Sequence, residues 1–123
     1  MTIDRRTIND VIVLTVIGDI TMTAMQTAPL ADTVRSLLHD GHNRLVLDLG
    51  RVRYVDSAGL GEIVAAFSAT RARGGTLKLL NVTKRLTDLL IVTKLLMVFD
   101  CFDLESDALA SFRAVPVARA LHG

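Results

Sequence analysis

The hydrophobic and polar positions of this chain form short apolar runs separated by longer amphipathic stretches. Three of the apolar runs are typical of buried strands, at Val11–Ile17, at residues 45–49 and at residues 77–82. Residues 3–8 predict a short edge strand, and residues 99–102 predict a further short strand. The pattern therefore predicts five strands.

Apolar residues at helical spacing predict a helix after each strand from the second onward. The first helix begins near Ala28, so that Pro29 falls at or near the first helical position, where a missing N–H is tolerated. Gly41 ends this helix, and a preceding turn over residues 22–27 is compatible with the pattern. The other helices are predicted after Ser57 as far as Gly74, over residues 84–93, and from Ser106, with Pro116 interrupting or ending the last one.

Strands that alternate with helices predict an α/β domain with a largely parallel sheet and right-handed crossovers. The turn at Asn9 and Asp10 joins the first two strands into a hairpin, which adds an antiparallel edge. We expect a single domain over residues 1–123, with its core at about residues 8–112 and a tail at residues 113–123.

Composition and charge limit the class of protein. The chain has 123 residues, of which 50% are hydrophobic, enough for the core of one domain. A net charge of +1 and scattered lysines and arginines argue against a nucleic-acid-binding surface. No apolar stretch reaches the roughly 18 residues of a membrane span. The first residues lack the pattern of a cleaved leader, so we expect a cytoplasmic protein.

Cys101 is the single cysteine, which excludes an internal disulfide and a multi-cysteine metal site. Its apolar neighbours predict a small core residue. Asp19, Asp48 and Asp56 each follow a predicted strand, but their spacing does not force them together and no histidine stands near them. We therefore expect no metal site.

Ser57 stands between an apolar strand and an amphipathic helix, preceded by an aspartate and followed by two nearby glycines. This position predicts an exposed hydroxyl at a helix N-terminus, where backbone N–H groups and the helix dipole favour an anion. A phosphate there would add about −1.5 to −2 charges, so Ser57 is a candidate modification switch. The alternative is that Ser57 serves only as the N-cap of the helix.

The residues around Ser57 leave further alternatives open. Gly59 and Gly61 each cost up to about 1 kcal/mol within a helix, which favours a role in leaving room for a phosphate, a nucleotide or a partner. Asp56 is either a turn residue that binds local backbone or an acidic group that contacts a partner's metal or cation. No base is evident beside the hydroxyl and the Gly-x-Ser-x-Gly elbow is absent, so we expect no catalytic residue.

The apolar run over residues 89–99 is too long for one helical face to bury completely. Ile91, Leu96 and Met97 are left over and form a candidate contact surface. Alternatively, a short loop tucks these side chains under the domain.

On these residues the chain resembles STAS domains of the anti-sigma factor antagonist family. Residues 56–61 are similar to the family's Asp-Ser-small-Gly-Leu-Gly motif, and residues 18–20 and 93–95 resemble two of its turns. The resemblance covers about residues 8–112. It implies a mostly parallel mixed sheet with an N-terminal antiparallel edge hairpin and about four helices packed mainly on one face.

The resemblance also implies a mechanism in which the antagonist is not an enzyme. Ser57 corresponds to the serine that the family's anti-sigma factor phosphorylates; that partner is a histidine-kinase-like ATPase acting as a serine kinase. The unphosphorylated antagonist binds the kinase and a sigma factor is released, whereas phosphorylation ends binding and a metal-dependent serine phosphatase restores it. ATP and magnesium then belong to the kinase, and the antagonist, a monomer or weak dimer, needs no cofactor. The implied partner-binding residues are Asp19, Thr21, Asp56, Ser57, Ala58, Gly59, Leu60, Gly61, Thr93, Leu96 and Met97.

Three departures from the family pattern leave open the contact at position 21 and the identity of the partner, and two alternative functions stand beside the resemblance. Thr21 stands where many antagonists have aspartate, Lys94 replaces a usual glycine, and Leu96 and Met97 stand where polar residues are common. One alternative is a STAS scaffold or interaction module that is never phosphorylated. A receiver domain that is phosphorylated on aspartate is disfavoured, because the chain lacks the acidic pair after an early strand and the lysine after residues 99–102.

Overall fold

The computed structural model describes the backbone of residues 1–25 and 29–122 and the side-chain packing of residues 1–25 and 29–113. Within these residues, one sheet contains five strands in the order β1-β2-β3-β4-β5. The first pair is antiparallel and the remaining pairs are parallel, which confirms the predicted sheet with its N-terminal edge hairpin. The strands are β1 (Thr2–Ile8), β2 (Val11–Ile17), β3 (Arg44–Arg51), β4 (Thr76–Leu80) and β5 (Cys101–Phe102).

The helices follow the predicted order, with changes at their ends. Ala28 lies outside the described residues, and Pro29 is the N-cap rather than the first helical residue. Pro116 does not end the last helix; a proline removes one backbone hydrogen bond, but the helix continues to His122. The helices are α1 (Leu30–His39), α2 (Ser57–Ala72), α3 (Lys84–Val92) and α4 (Glu105–His122), with a short 3-10 turn at Leu96–Val98.

Alternate residues of the buried strands point to opposite faces of the sheet, and each face has its own core. On one face, Ile12, Leu14 and Val16 of β2 pack with α1, α2 and α3. On the other face, Val11 and Val13 of the same strand pack with α4. Three of the four helices among the described residues therefore share one face. On this side, the start of α2 lies beside the loop that follows β2, and the start of α3 lies beside the loop that follows β3.

Side-chain caps fix where the helices begin. Pro29 supplies no capping side chain to α1, and the carboxylate of Glu62 on α2 takes this role by accepting a hydrogen bond from Ala31 N (3.0 Å). Thr83 caps α3 by accepting a bond from Leu86 N (3.3 Å). The contact between Glu62 and Ala31 also fixes α1 relative to α2.

The face covered by α4 contains one buried charged side chain. Lys78 is only 7% exposed; its Nζ donates to Ser111 Oγ (2.6 Å) and lies 4.6 Å from the centre of the Phe112 ring. Burial lowers the pKa of the Lys78 ammonium. The prediction that Cys101 is a core residue was wrong: it is exposed, because the two-residue strand β5 forms the edge of the sheet.

Candidate functional site

The site is built where the chain leaves β2 and where it enters α2. Ile20 forms an isolated parallel bridge with Val55, and Ile20 N donates to Tyr54 O (2.9 Å). Asp56 N then donates to Ile20 O (3.3 Å). These backbone bonds hold residues 19–22 against residues 56–61, and we call the two segments together the α2 corner.

Asp56 is the N-cap of α2 and joins both segments of the α2 corner. Its Oδ1 accepts a hydrogen bond from Gly59 N (2.7 Å), and its Oδ2 accepts one from Met22 N (3.0 Å). These bonds, the one from Gly59 first, lower the pKa of the Asp56 carboxyl below its ordinary value. The interpretation of Asp56 as a residue that binds backbone is confirmed, and the hypothesis that Ser57 is the N-cap was wrong.

Gly59 is buried beneath the chain that follows β2. A Cβ at this position would lie 1.8 Å from the carbonyl oxygen of Ile20. The absence of a side chain at Gly59 therefore makes room for the backbone of Ile20. The expectation that Gly59 makes room for a phosphate or a partner was wrong. Gly61 is different, because it is exposed and a Cβ there would meet nothing within 4 Å.

Ser57 is exposed as the first residue of α2, so its hydroxyl is accessible from solvent. Ala58 is half-buried, and Leu60 is half-buried against the core. Two exposed apolar side chains lie near Ser57: Met22, whose N–H binds Asp56, is 68% exposed, and Tyr54, on the segment that leads into α2, is 49% exposed. Sequence analysis did not select Met22 or Tyr54, although Tyr54 is the chain's single tyrosine and lies just before the Asp-Ser pair.

Asp19 and Thr21 lie in the α2 corner, and both make contacts within the chain. The Asp19 Oδ1 lies 3.9 Å from Arg53 Nε, a pair whose arginine is largely exposed and which therefore adds little stability. Thr21 Oγ1 accepts a hydrogen bond from Ala24 N (3.2 Å) and so closes a turn.

Leu96 and Met97 lie apart from Ser57, toward the other end of α2. Val98, next to Met97, lines a pocket together with Phe67 and Gly75. Since Phe67 follows Ser57 by ten residues of the same helix, this pocket is about 15 Å further along its axis. The predicted partner-binding residues therefore form two groups and not one.

We call residues 91–98 the apolar segment. The sequence left open whether its apolar side chains are exposed or tucked under the domain. Ile91 is 54% and Met97 94% exposed, which confirms them as surface residues. Leu96 is half-buried and packs against the core, so for this residue the alternative of a tucked side chain applies. Val92, which sequence analysis did not select, is 79% exposed.

The backbone conformation at Lys94 shows why the family usually has glycine at this position. Its φ angle is 61°, in the left-handed region that glycine adopts at lowest cost. The residue follows the C-cap of α3, Thr93, whose Oγ1 donates to Leu89 O (2.8 Å). A glycine before Leu95 therefore suits this turn, and lysine adopts the same conformation under strain.

A groove of about 370 Å³ lies between residues 52–55, which lead into α2, and α3. Tyr54 and Val92 form exposed apolar walls, and Leu86 lies at the buried base. No sequence pattern predicted this groove, because its lining residues come from two separate segments of the chain. The lining residues are Val52, Arg53, Tyr54, Val55, Thr83, Arg85, Leu86, Asp88, Leu89 and Val92.

The three aspartates after predicted strands have separate partners. Asp48 Oδ1 accepts hydrogen bonds from Gly50 N (3.1 Å) and from Asn81 Nδ2 (3.2 Å), whereas Asp56 and Asp19 make the contacts given above. Over the described part of the chain, no three side chains of histidine, cysteine, aspartate or glutamate come together as a metal site would require. The same residues include no helix that is both long and apolar enough to cross a membrane.

Sequence comparison identifies a relative of this chain. Over 49 residues the chain is 43% identical to the anti-sigma-B factor antagonist of Bacillus subtilis (strain 168); the alignment covers 40% of this chain and 45% of that relative. The chain thus spans less than half the length of this relative.

Solved structures share the fold over nearly the whole chain. An anti-sigma factor antagonist from Mycobacterium paratuberculosis has a TM-score of 0.77 at 25% identity, covering 91% of this chain and 93% of the other. An anti-sigma-factor antagonist (STAS) domain protein from Planctomyces limnophilus has a TM-score of 0.74 at 18% identity, covering 89% and 96%. A family model described as "Mlab, STAS domain" matches residues 4–97. With its mixed sheet, its helix order and this match, the chain belongs to the STAS domain family.

Proposed function

We propose that this protein is a non-enzymatic anti-sigma factor antagonist whose binding is switched by phosphorylation of Ser57. The observation that carries the proposal is the exposed Ser57 hydroxyl at the start of α2, in a corner whose backbone is held by Asp56 and Gly59. The likeness to antagonists from Bacillus subtilis and Mycobacterium paratuberculosis supports the same role.

In its unphosphorylated form, the protein binds an anti-sigma factor serine kinase through the α2 corner. Met22 and Tyr54 supply exposed apolar area beside Ser57, and the groove toward Val92 extends this surface. Binding occupies the kinase, and a sigma factor is released.

Phosphorylation reverses this state. A bond forms between Ser57 Oγ and the γ-phosphorus of ATP, the bond from that phosphorus to ADP breaks, and the hydroxyl proton passes to a base of the kinase. ATP and its magnesium are bound by the kinase. The new dianion replaces a neutral hydroxyl on a surface with apolar neighbours, where its desolvation disfavours the complex. A serine phosphatase removes the phosphate by hydrolysis and restores binding.

Affinity capture from the source cell's lysate tests this function, with wild type, Ser57→Ala and Ser57→Glu as baits and mass spectrometry as the readout. We expect wild type and Ser57→Ala to recover a histidine-kinase-like ATPase and Ser57→Glu to lose it. The Ser57→Ala bait is the matched control, because it removes the hydroxyl without adding charge. Equal recovery of another protein by all three baits would contradict the switch and would favour a scaffold in which Ser57 only begins a helix.

A further inference from the structure

Asp56 makes more contacts than the capping of a helix requires. One side-chain oxygen is sufficient for a cap, and serine, threonine or asparagine can supply it. Here the second oxygen, Oδ2, accepts a hydrogen bond from Met22 N (3.0 Å), across 34 positions of the sequence. An ionised carboxylate has two acceptor oxygens and no donor, so it can serve both N–H groups at once, whereas an asparagine would turn its own N–H₂ toward one of them.

We infer that Asp56 is a positioning residue that fixes the Met22 side of the partner surface relative to Ser57, and that a phosphate on Ser57 breaks this link. The inference rests on the proposed function for its biological meaning. The coupling itself is a property of the folded domain, whatever the source of the phosphate.

The contacts of the loop after β2 indicate what the link holds in place. Thr21 O accepts a bond from Met25 N (3.0 Å), and Thr21 Oγ1 accepts one from Ala24 N (3.2 Å), so residues 21–25 form a turn that is closed on itself. Ile20, just before the turn, is held independently by its bridge to Val55. Met25, at the end of the turn, is buried in the core, and the Asp56 carboxylate adds a side-chain hydrogen bond that joins the Met22 end of the turn to the start of α2.

Phosphorylation of Ser57 acts on this link in two ways. The phosphate places a dianion one residue from the Asp56 carboxylate, and like charges at close range repel. Its oxygens also compete for the N–H groups at the start of α2, which favour an anion. Asp56 Oδ2 then separates from Met22 N, the turn loosens, and the exposed Met22 side chain leaves its binding position.

Amide hydrogen exchange measured by NMR tests the coupling on the full chain, without any partner protein. The two samples are the unphosphorylated protein and the protein with phosphoserine incorporated at position 57 during translation. We expect the Met22 amide to exchange roughly five- to tenfold faster in the phosphorylated sample, the effect of losing one hydrogen bond. The Ile20 amide, which donates to Tyr54 O, is the internal reference and keeps its rate.

The Asp56→Ser variant is the matched control, because serine retains a capping oxygen for Gly59 N but is too short to reach Met22 N. In this variant the Met22 amide is expected to exchange fast without phosphate, and phosphorylation of Ser57 is expected not to raise its exchange rate further. If this variant fails to fold, Asp56→Asn takes its place, since its side-chain amide can satisfy only one of the two N–H groups.

Unchanged Met22 exchange on phosphorylation would overturn the inference, and so would an equal acceleration in wild type and in the control variant. These results are distinct from failure of the proposed function. Capture of a kinase with no change in Met22 exchange would support the proposed function and contradict the coupling. Faster Met22 exchange without capture of a kinase would support the coupling and contradict the proposed function.

Discussion

The α2 corner and the apolar segment both carry predicted partner-binding residues, yet they differ in how they are held. In the α2 corner, a β-bridge, two carboxylate hydrogen bonds and a close backbone contact at Gly59 fix the position of Ser57. In the apolar segment, Val92 and Met97 are 79% and 94% exposed. The first region is determined by internal contacts, and the second leaves apolar area that none of the described side chains covers.

This difference indicates which region tolerates substitutions with little loss of stability. A switch needs one hydroxyl in a reproducible position, so its surroundings tolerate few substitutions. A contact surface needs area and shape, and exposed positions away from special features usually alter stability by less than about 0.5 kcal/mol. The substitutions below test this contrast, beginning with the largest expected effect on stability.

Gly59→Ala tests the close contact in the α2 corner. The new Cβ would lie 1.8 Å from Ile20 O, a backbone atom that cannot move without breaking the bridge to Val55. We expect the free energy of unfolding to fall by about 2–3 kcal/mol, as measured by urea denaturation. Gly61→Ala is the control: its Cβ meets nothing within 4 Å, so we expect a gain of about 0.5–1 kcal/mol from helix propensity. Equal effects at the two glycines would remove the basis for calling the corner fixed.

Asp56→Ala tests the carboxylate bonds through their pH dependence. The pKa of Asp56 is lowered in the folded state, so its contribution to stability is present above its ordinary value of 3.8 and is lost as the pH falls through the folded-state pKa. We expect the variant to be less stable than wild type at pH 7 and the gap to shrink below about pH 4. Thermal unfolding at a series of pH values measures it, and a gap that does not change with pH would mean that the charge of Asp56 adds nothing.

Lys94→Gly tests the strained turn before the apolar segment. Glycine adopts a φ of 61° without the steric cost that lysine has, so we expect the free energy of unfolding to rise by about 1 kcal/mol. Chemical denaturation measures the gain. A loss of stability would indicate that the lysine side chain makes a contact worth more than the strain.

Met97→Glu has the smallest expected effect on stability and a measurable one on binding. Met97 is 94% exposed, so we expect the free energy of unfolding to change by less than about 0.5 kcal/mol, while affinity for the kinase falls. Calorimetric titration of the captured kinase measures the affinity. Leu96→Glu is the contrasting variant, because Leu96 packs against the core and is expected to lower stability. A stability loss at Met97 as large as that at Leu96 would place Met97 in the core.

The fold followed from the sequence because its signals are local. The apolar runs of β2 and β3 and the helical spacing in α1 and α2 predicted the elements, and their alternation predicted the parallel sheet. The start of α1 was predicted only approximately, because Glu62 from another helix completes its cap, and a contact between distant residues leaves no local pattern. Cys101 was misplaced because apolar neighbours do not reveal that a strand is two residues long and lies at an edge.

The candidate site was predictable in position and not in its contacts. The Asp-Ser pair identified the start of α2, but which of the two residues caps the helix depends on how Met22 and Gly59 meet Asp56. The reason for Gly59 was equally hidden, since Ile20 is 39 positions away in the sequence and directly above it in space. The groove between Tyr54 and Val92 exists only after the chain has folded.

Ser57 is presented by folded backbone on both sides. Tyr54 and Val55 before it are engaged by Ile20, and from Ser57 onward the chain is helical to Ala72. An enzyme that grips its substrate as an extended peptide would have to unwind the first turns of α2 to reach the hydroxyl. A kinase for Ser57 therefore has to accept the intact domain, and a synthetic peptide of the same residues is expected to be a poor substrate. The proposed kinase then recognises the shape of the folded domain and not the amino-acid sequence around the serine.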